Sequence, residues 1–144
     1  MSLSAALYER LSGDAELAGL LPAFHGSPAI FTALPVPAAA PLPLLVIGAL
    51  EQEDNLDVQD VRLARLGFAL TAFARQEAPP GQAEAPLRRA RTLLEGADLA
   101  WPDGQLVSLT CRGPLAVPAE RPWRAFRLEV AGLYFPQPEG GSTP

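Results

Sequence analysis

Five acidic side chains between positions 51 and 60 form the densest group of chemically competent residues in the sequence. They are Glu51, Glu53, Asp54, Asp57 and Asp60. Carboxylate oxygens are the ligands that Ca²⁺ prefers, but the D-x-[DN]-x-[DN]-G run of an EF-hand loop is absent, and no glycine separates the acids. Since clusters of like charge are typically solvated, we predict a projecting, negatively charged loop without a catalytic or metal-binding role.

The only histidine and the only cysteine give an enzyme little support. A Ser-His-Asp or Cys-His arrangement would have to use His25, which lies in the segment FHGSP without a nucleophile-elbow motif. Cys111 lies on the apolar side of a predicted strand, where a cysteine behaves as a small hydrophobic residue. A small enzyme that uses His25 stays open as an alternative. The residues themselves predict no catalytic site, no cofactor and no metal ion.

The net charge of the chain limits its partners. Every basic residue is an arginine, and 11 bases against 16 acids give a net charge of −5. An acidic chain is a poor candidate for sequence-independent DNA binding, whose affinity comes from neutralising phosphates.

Residues 1–7 lack the basic n-region of a signal peptide, and no apolar run reaches the length of about 18 residues that a membrane span needs. We expect a soluble protein, made inside the cell, without membrane contact.

A small basic face is predicted on a helix in the second half of the chain. Because a proline does least harm in the first turn, Pro86 predicts a helix that begins near Glu84, and Gly96 is a natural stop. The apolar stripe of this helix consists of Leu87, Ala90, Leu94 and Ala97. The arginines off the stripe are Arg88, Arg89 and Arg91. They predict either a solvated face or a contact with an acidic surface of a neighbouring subunit.

The first part of the chain predicts helix and then loop, within a single domain of 144 residues. Residues 2–21 predict an N-terminal helix that breaks at Ser12-Gly13-Asp14, with Asp14 capping its second part. Six prolines within residues 22–43 predict an irregular, proline-rich loop with one short extended piece at Ile30-Phe31. The Pro/Gly-rich residues 136–144 predict an extended C-terminal tail.

Two strands are predicted on either side of the acidic segment. The apolar run LLVIGAL at residues 44–50 predicts a buried strand. Residues 61–75 have a helical composition, but as a strand they give this run a hairpin partner and turn Leu66, Phe68 and Leu70 toward the core together. Arg65 and Thr71 would then face away.

Two further strands follow the predicted helix. Residues 106–111 alternate with Val107, Leu109 and Cys111 on one side, and a proline-bearing loop is predicted at 113–122. Residues 123–135 alternate best, with Phe126, Leu128 and Val130 opposite Arg127 and Glu129. After the N-terminal helix, the order β-β-α-β-β predicts an α+β domain with an antiparallel sheet of about four strands packed against helices.

This order of features resembles the tail-terminator family, also called tail-completion or head–tail joining proteins, of long-tailed phages, prophages and phage-derived gene transfer agents. The resemblance runs from Ala5 to Phe135 and rests on spacing and hydrophobic type. Its pieces are ALYERLSGDAELAGLL at 6–21, the pair Ile30-Phe31, PLLVIG at 43–48, RLGFALTAFAR at 65–75, GQLVSL at 104–109 and WRAFRLEV at 123–130. The chain departs from the family at Leu44, where an aromatic residue is common.

The resemblance implies a structural protein of a virion or phage-like particle, and not an enzyme. Members of the tail-terminator family form a ring, commonly of six subunits, which closes the head-proximal end of the tail tube and faces the head connector. DNA would pass through the lumen without specific binding, and the ring would assemble in the bacterial cytoplasm. The acidic loop would line the lumen or touch the next ring. A head–tail adaptor or another neck ring protein is the alternative.

Overall fold

The computed structural model describes residues 2–32, 36–58, 61–95, 98–102, 104–120 and 122–136. These residues form helices and a mostly antiparallel sheet, as the predicted α+β class requires. The elements are α1 (Leu3–Ser12), α2 (Ala15–Gly19), β1 (Ala23–Phe24), β2 (Ser27–Pro28), β3 (Ile30–Phe31), β4 (Leu44–Ile47), β5 (Glu51–Val58), β6 (Val61–Arg75), α3 (Gly81–Glu95), β7 (Ala100–Trp101), β8 (Gly104–Val117) and β9 (Trp123–Pro136).

The N-terminal helix breaks where the sequence predicts a break. Ser2 caps α1, because its hydroxyl accepts a hydrogen bond from the Ala5 N–H at 3.1 Å. Asp14 caps α2 in the same way, with its carboxylate accepting from the Leu17 N–H at 2.9 Å. Each cap satisfies a backbone donor that has no partner within its helix.

The sheet has more strands than the four predicted. Among the described residues its order is β3-β4-β6-β9-β8-β7, and β5 also pairs with β6. The pair β3–β4 is parallel and the other pairs are antiparallel. The additional strands are short except for β5, which comes from the acidic segment.

The long strand at residues 61–75 is confirmed, while the acidic loop before it is corrected. Leu66, Phe68 and Leu70 are buried, and Arg65 is exposed. Residues 51–58, however, form β5, which runs antiparallel along β6 from Gly67 to Val61. The segment is a strand because β6 extends past β4 and offers it a continuous backbone edge. Asp60 and the side chains of residues 53–62 lie outside the described part of the chain.

Two β-bulges in β8 change what simple alternation predicts. The pairing with β9 shifts between Leu106 and Ser108, so Val107 is 47% exposed and does not join Leu109 on the core side. A second shift falls between Arg112 and Leu115, where Gly113 has a positive φ of 118°. Because this bulge absorbs the proline at position 114, the strand continues to Val117, and the predicted loop at 113–122 begins later.

The helix α3 begins earlier than Pro86 suggests. It starts at Gly81, after Pro79 and Pro80, whose carbonyls accept the first N–H groups of the helix. Pro86 therefore lies inside α3 and is fully buried. The buried stripe includes the predicted Leu87, Ala90 and Leu94; Ala97 and Gly96 lie outside the described residues.

Two hydrophobic clusters pack against opposite faces of β4. Leu45 and Ile47 belong to the main core, which unites α1, α2 and α3 with the long strands. Leu44 and Val46 point to the other face and join a smaller cluster with Ala29. Partly buried residues of the proline-rich loop and β6 complete this smaller cluster: Phe24, Phe31, Val36, Ala40, Leu42 and Phe73. The loop is thus fixed to the sheet by apolar contacts of its own.

Candidate assembly surfaces

One face of the sheet carries the helices and the other is open over most of its area. The helix α3 packs against β6, β8 and β9. Along β9, Phe126, Leu128 and Val130 are buried in the main core, whereas Arg127 and Glu129 are exposed, as the alternation predicts. We call the exposed side the open face. Outside the area covered by the proline-rich loop, its surface is available to another macromolecule.

A shallow groove of about 560 Å³ runs across the open face. Its floor contains the small residues Gly67, Ala69 and Ala131, which bring the backbone close to the surface. Charged and polar side chains border this floor: Glu51, Thr110, Arg112, Arg127 and Glu129. A wide groove with a small-residue floor suits a flat protein surface better than a small molecule.

The charges around the groove are of both signs. Arg112 Nε lies 3.6 Å from Glu129 Oε1, and both side chains are at least half exposed. An exposed ion pair of this kind adds little to the stability of the subunit. Among the residues that the structure describes, no group of three or more His, Cys, Asp or Glu side chains could hold a metal ion.

The acidic residues are distributed along β5, on the side of the sheet remote from β8. Glu51 is exposed and pairs in register with Gly67 of β6. Glu53 lies opposite Arg65, and Asp57 lies opposite Arg62 in the backbone register. The strand β5 has no described partner on its other side. The acids, including Asp54, thus belong to an edge strand, and their proposed role in the lumen or at an interface stays a prediction.

Each of the three arginines on α3 has a partner within its own chain. Arg88 pairs with Glu84 at 2.7 Å, and its side chain is 68% exposed. Arg91 donates to the Gly113 carbonyl at 2.8 Å and lies 3.3 Å from Glu95. These contacts leave Arg88 as the most accessible of the predicted basic face. A contact of the face with a neighbouring subunit stays a prediction.

Arg89 connects α3 to the N-terminal helices through a bidentate pair. Its Nε and Nη2 atoms each donate to Asp14 at 2.9 Å, and Nε also lies 3.1 Å from Glu16. The hydrogen bond from Arg89, and next the one from the Leu17 N–H, lower the pKa of Asp14 from 3.8 to about 2. Asp14 thereby joins two tasks, as helix cap and as ion-pair partner.

Asp14 variants should separate these two tasks. Because asparagine also caps helices, Asp14→Asn is expected to keep the cap and lose the ion pair, while Asp14→Ala loses both. Melting temperatures at neutral pH should therefore fall in the order wild type, Asp14→Asn, Asp14→Ala. Glu84→Gln, which removes only an exposed pair within α3, serves as control and should melt close to wild type. Equal melting temperatures for the Asn and Ala variants would refute the capping role.

The same pair gives the subunit a defined acid sensitivity. The folded-state pKa of Asp14 lies below its unfolded value. Its contribution to the free energy of unfolding is therefore complete above about pH 4 and is lost as the pH falls toward 2. Differential scanning calorimetry should show that the difference in melting temperature between wild type and Asp14→Asn shrinks as the pH falls over this range. A difference in melting temperature that stays constant down to pH 2 would contradict the lowered pKa of Asp14.

His25 and Cys111 belong to separate elements, the turn between β1 and β2 and the strand β8. His25 and Gly26, with φ of 51° and 81°, form the two-residue turn between β1 and β2, and the His25 ring lies 4.1 Å from that of Phe24. Burial, and next the charge of Glu95, raise the pKa of Cys111 to about 11. The thiol is therefore protonated at neutral pH and is a poor nucleophile.

The open-face groove is the surface that sequence reasoning missed. The alternation in residues 123–135 does mark Arg127 and Glu129 as outward-facing, but it cannot show which outward residues lie side by side. The cross-strand register brings Glu51, Gly67, Ala131 and Thr110 into one row over four strands. Only the pairing of strands that are distant in sequence creates this row.

Comparisons with known proteins identify a family and a solved structure that this chain resembles. A family model described as "Tail completion protein gp17" matches residues 5–130. A solved chain from the virion of a native gene transfer agent particle is 27% identical, with a TM-score of 0.74; the match covers 92% of this chain and 94% of that one. The search of curated proteins gave no match. In the described residues, no helix has the length and apolar character needed to cross a membrane.

Proposed function

Because the chain belongs to the tail completion protein gp17 family, we propose that it forms a ring that closes the head-proximal end of a tail tube and joins it to the head connector. The protein is a structural component of a phage-like particle and not an enzyme. The observation that carries the ring proposal is the likeness to a chain of a gene transfer agent virion over nearly the whole length of both proteins.

The partners of such a ring are further copies of this chain, the tail tube protein and the connector or adaptor proteins of the head. A closed cyclic ring, commonly of six subunits in this family, needs a heterologous interface, in which one surface meets a different surface of the neighbour. The subunit offers distinct surfaces for this purpose, since the open face, the β5 edge and the α3 face differ in charge and shape.

The charge of the protein suits passage of DNA without capture. Each copy has a net charge of −5. A protein that binds duplex DNA regardless of sequence gains affinity by neutralising phosphates and releasing counterions. Around the groove of the open face, the two arginines Arg112 and Arg127 are balanced by the two acids Glu51 and Glu129. A lumen formed by this face would hold no continuous basic track for the phosphates.

Removal of the protein from a particle-producing strain tests this proposal. We expect filled heads and separate tails in electron micrographs, and a return of joined particles when the wild-type gene is supplied in trans. A tagged copy should be labelled at the junction of head and tail. A strict monomer that never joins tail tubes would refute the ring. Labelling on the head side of the junction, with tubes already closed, would instead indicate a head–tail adaptor.

A further inference from the structure

The sheet has two long backbone edges with no described partner strand. One is the far side of β5, which pairs only with β6. The other is β8 beyond Gln105, because β7 covers only Gly104 and Gln105. An uncovered edge strand presents a row of N–H and C=O groups that can pair with another chain. The bulges at Val107 and at Gly113 mark the two ends of this open part of the β8 edge, which comprises residues 107–112.

The two edges lie at the same level of the sheet, on opposite sides. Glu51 pairs with Gly67, Gly67 with Ala131, and Ala131 with Thr110, so one row crosses the sheet from edge to edge. Each of the three pairings is antiparallel, which means that β5 and β8 run in opposite directions. If the β8 edge of one copy met the β5 edge of the next, the new pair would again be antiparallel.

We propose that residues 107–112 of one copy pair with β5 of the next copy and continue the sheet across the subunit boundary. This proposal rests on the ring proposed above and names the surfaces that close it. Strand addition of this kind supplies affinity through main-chain hydrogen bonds. It also removes both exposed edges of every subunit at once, and a head-to-tail arrangement does so with a single type of contact.

The charges of the two strands favour this pairing over a pairing of two β5 strands. The β5 sequence EQEDNLDV has four acids and no base, whereas the β8 sequence GQLVSLTCRGPLAV has Arg112 and no acid. Two β5 strands side by side would bring eight acids together, and like charges opposite each other destabilise a strand pair. Two copies would therefore not associate through β5 edges alone.

The geometry of a closed ring is consistent with this continuation. At the level of the shared row, each copy contributes the four strands β5, β6, β9 and β8. With six copies, a strand spacing of about 4.8 Å and the tilt usual in barrels, the backbone would enclose a cylinder roughly 40–50 Å across. The helices would lie outside this cylinder, and the open face would line it.

Disulfide cross-linking in assembled particles tests the pairing. In a Cys111→Ser background, Glu51→Cys would be combined with Ser108→Cys, Thr110→Cys or Arg112→Cys, because these positions all lie on the open face. Directly opposite residues in an antiparallel pair have Cβ atoms about 4.5–5.5 Å apart, close to the separation that a disulfide needs. After oxidation, one of the three pairs should give a ladder of subunit multiples on a non-reducing gel.

The controls separate failure of this inference from failure of the ring. Each single-cysteine variant, and the pair Glu51→Cys with Thr92→Cys on α3, should give no ladder. Particles that contain the ring but yield no ladder for any of the three pairs would refute the strand pairing alone. Particles without a ring would refute both proposals. A cross-link from Thr110→Cys to the tail tube protein would show that the β8 edge serves a different partner.

Discussion

Replacing Gly132 with alanine is expected to lower the free energy of unfolding of the isolated subunit by about 1–3 kcal/mol and its melting temperature by about 3–10 °C. A Cβ atom at this position would lie 2.5 Å from Leu109 Cδ2 and 2.6 Å from the Ser108 carbonyl oxygen. The bulge at Val107 holds the backbone of β8 in this place. Relief of the clash therefore requires β8 to move relative to β9.

Gly67→Ala is the matched control for this substitution. Gly67 lies on the neighbouring strand β6, and its nearest surrounding atom would be the Val130 carbonyl oxygen at 3.8 Å. We expect an unchanged or slightly higher stability, because alanine reduces the conformational freedom of the unfolded chain. Thermal unfolding measured under identical conditions decides the comparison. Equal melting temperatures for the two variants would show that β8 is free to shift at the bulge.

Reversal of the charge on β5 is expected to reduce the yield of joined particles by about tenfold or more while leaving the isolated subunit folded. The variant combines Glu51→Lys, Glu53→Lys and Asp57→Lys. Because positions 53 and 57 lie opposite Arg65 and Arg62 of β6 in the backbone register, the melting temperature of the isolated subunit should fall modestly without unfolding. Placing cations opposite Arg112 of a neighbour, in place of acids, changes an attraction into a repulsion that costs several kcal/mol at an interface. Particle counts by electron microscopy and melting of the purified subunit give the two readouts.

A second triple variant controls for the change in net charge. Glu9→Lys, Glu77→Lys and Glu120→Lys alter the net charge by the same amount at exposed positions on other elements. This variant should assemble normally, since isolated surface substitutions typically change stability by less than about 0.5 kcal/mol each. If the β5 variant unfolds as an isolated subunit, the acids stabilise the fold and the interface role is wrong. Equal yields of joined particles from both triple variants would also refute the interface role of the acids.

Local rules were sufficient where one residue decides the conformation. Asp14 caps α2 as predicted, because a short carboxylate before a helix satisfies its N–H groups whatever packs around it. The long strand at residues 61–75 followed from two-residue alternation together with the need for a partner of LLVIGAL. In that segment the buried alternation of Leu66, Phe68 and Leu70 outweighs the helix propensity of its leucines and alanines.

Rules based on alternation failed where the backbone departs from a regular ladder. Strict alternation predicts Val107 on the same side as Leu109 and Cys111, but one inserted residue in β8 turns the Val107 side chain outward. The start of α3 was placed near Glu84 because a proline usually marks a first turn. Pro86 is instead buried inside the helix, where its packing offsets the lost hydrogen bond. Such exceptions depend on tertiary contacts that no local pattern contains.

The candidate surface was predicted only in part. Its charged residues are visible in the sequence, and the lack of EF-hand spacing among the acids argues against a calcium site there. Its extent was not predictable, because the row from Glu51 to Thr110 joins residues 59 positions apart through two intervening strands. The open edges of β5 and β8 likewise follow from the order of strands.

The two-sided packing of β4 makes most of the proline-rich loop structurally independent of the main core. Leu44 and Val46 hold residues 36–42 of the loop, whereas Leu45 and Ile47 share the main core with the helices and Ile30, so a change within residues 36–42 does not pass through the main core. Lengthening a surface loop costs little conformational entropy, about 0.6 kcal/mol for each doubling. This part of the loop can therefore be exchanged or extended to fit a different neighbour without a change in the main core.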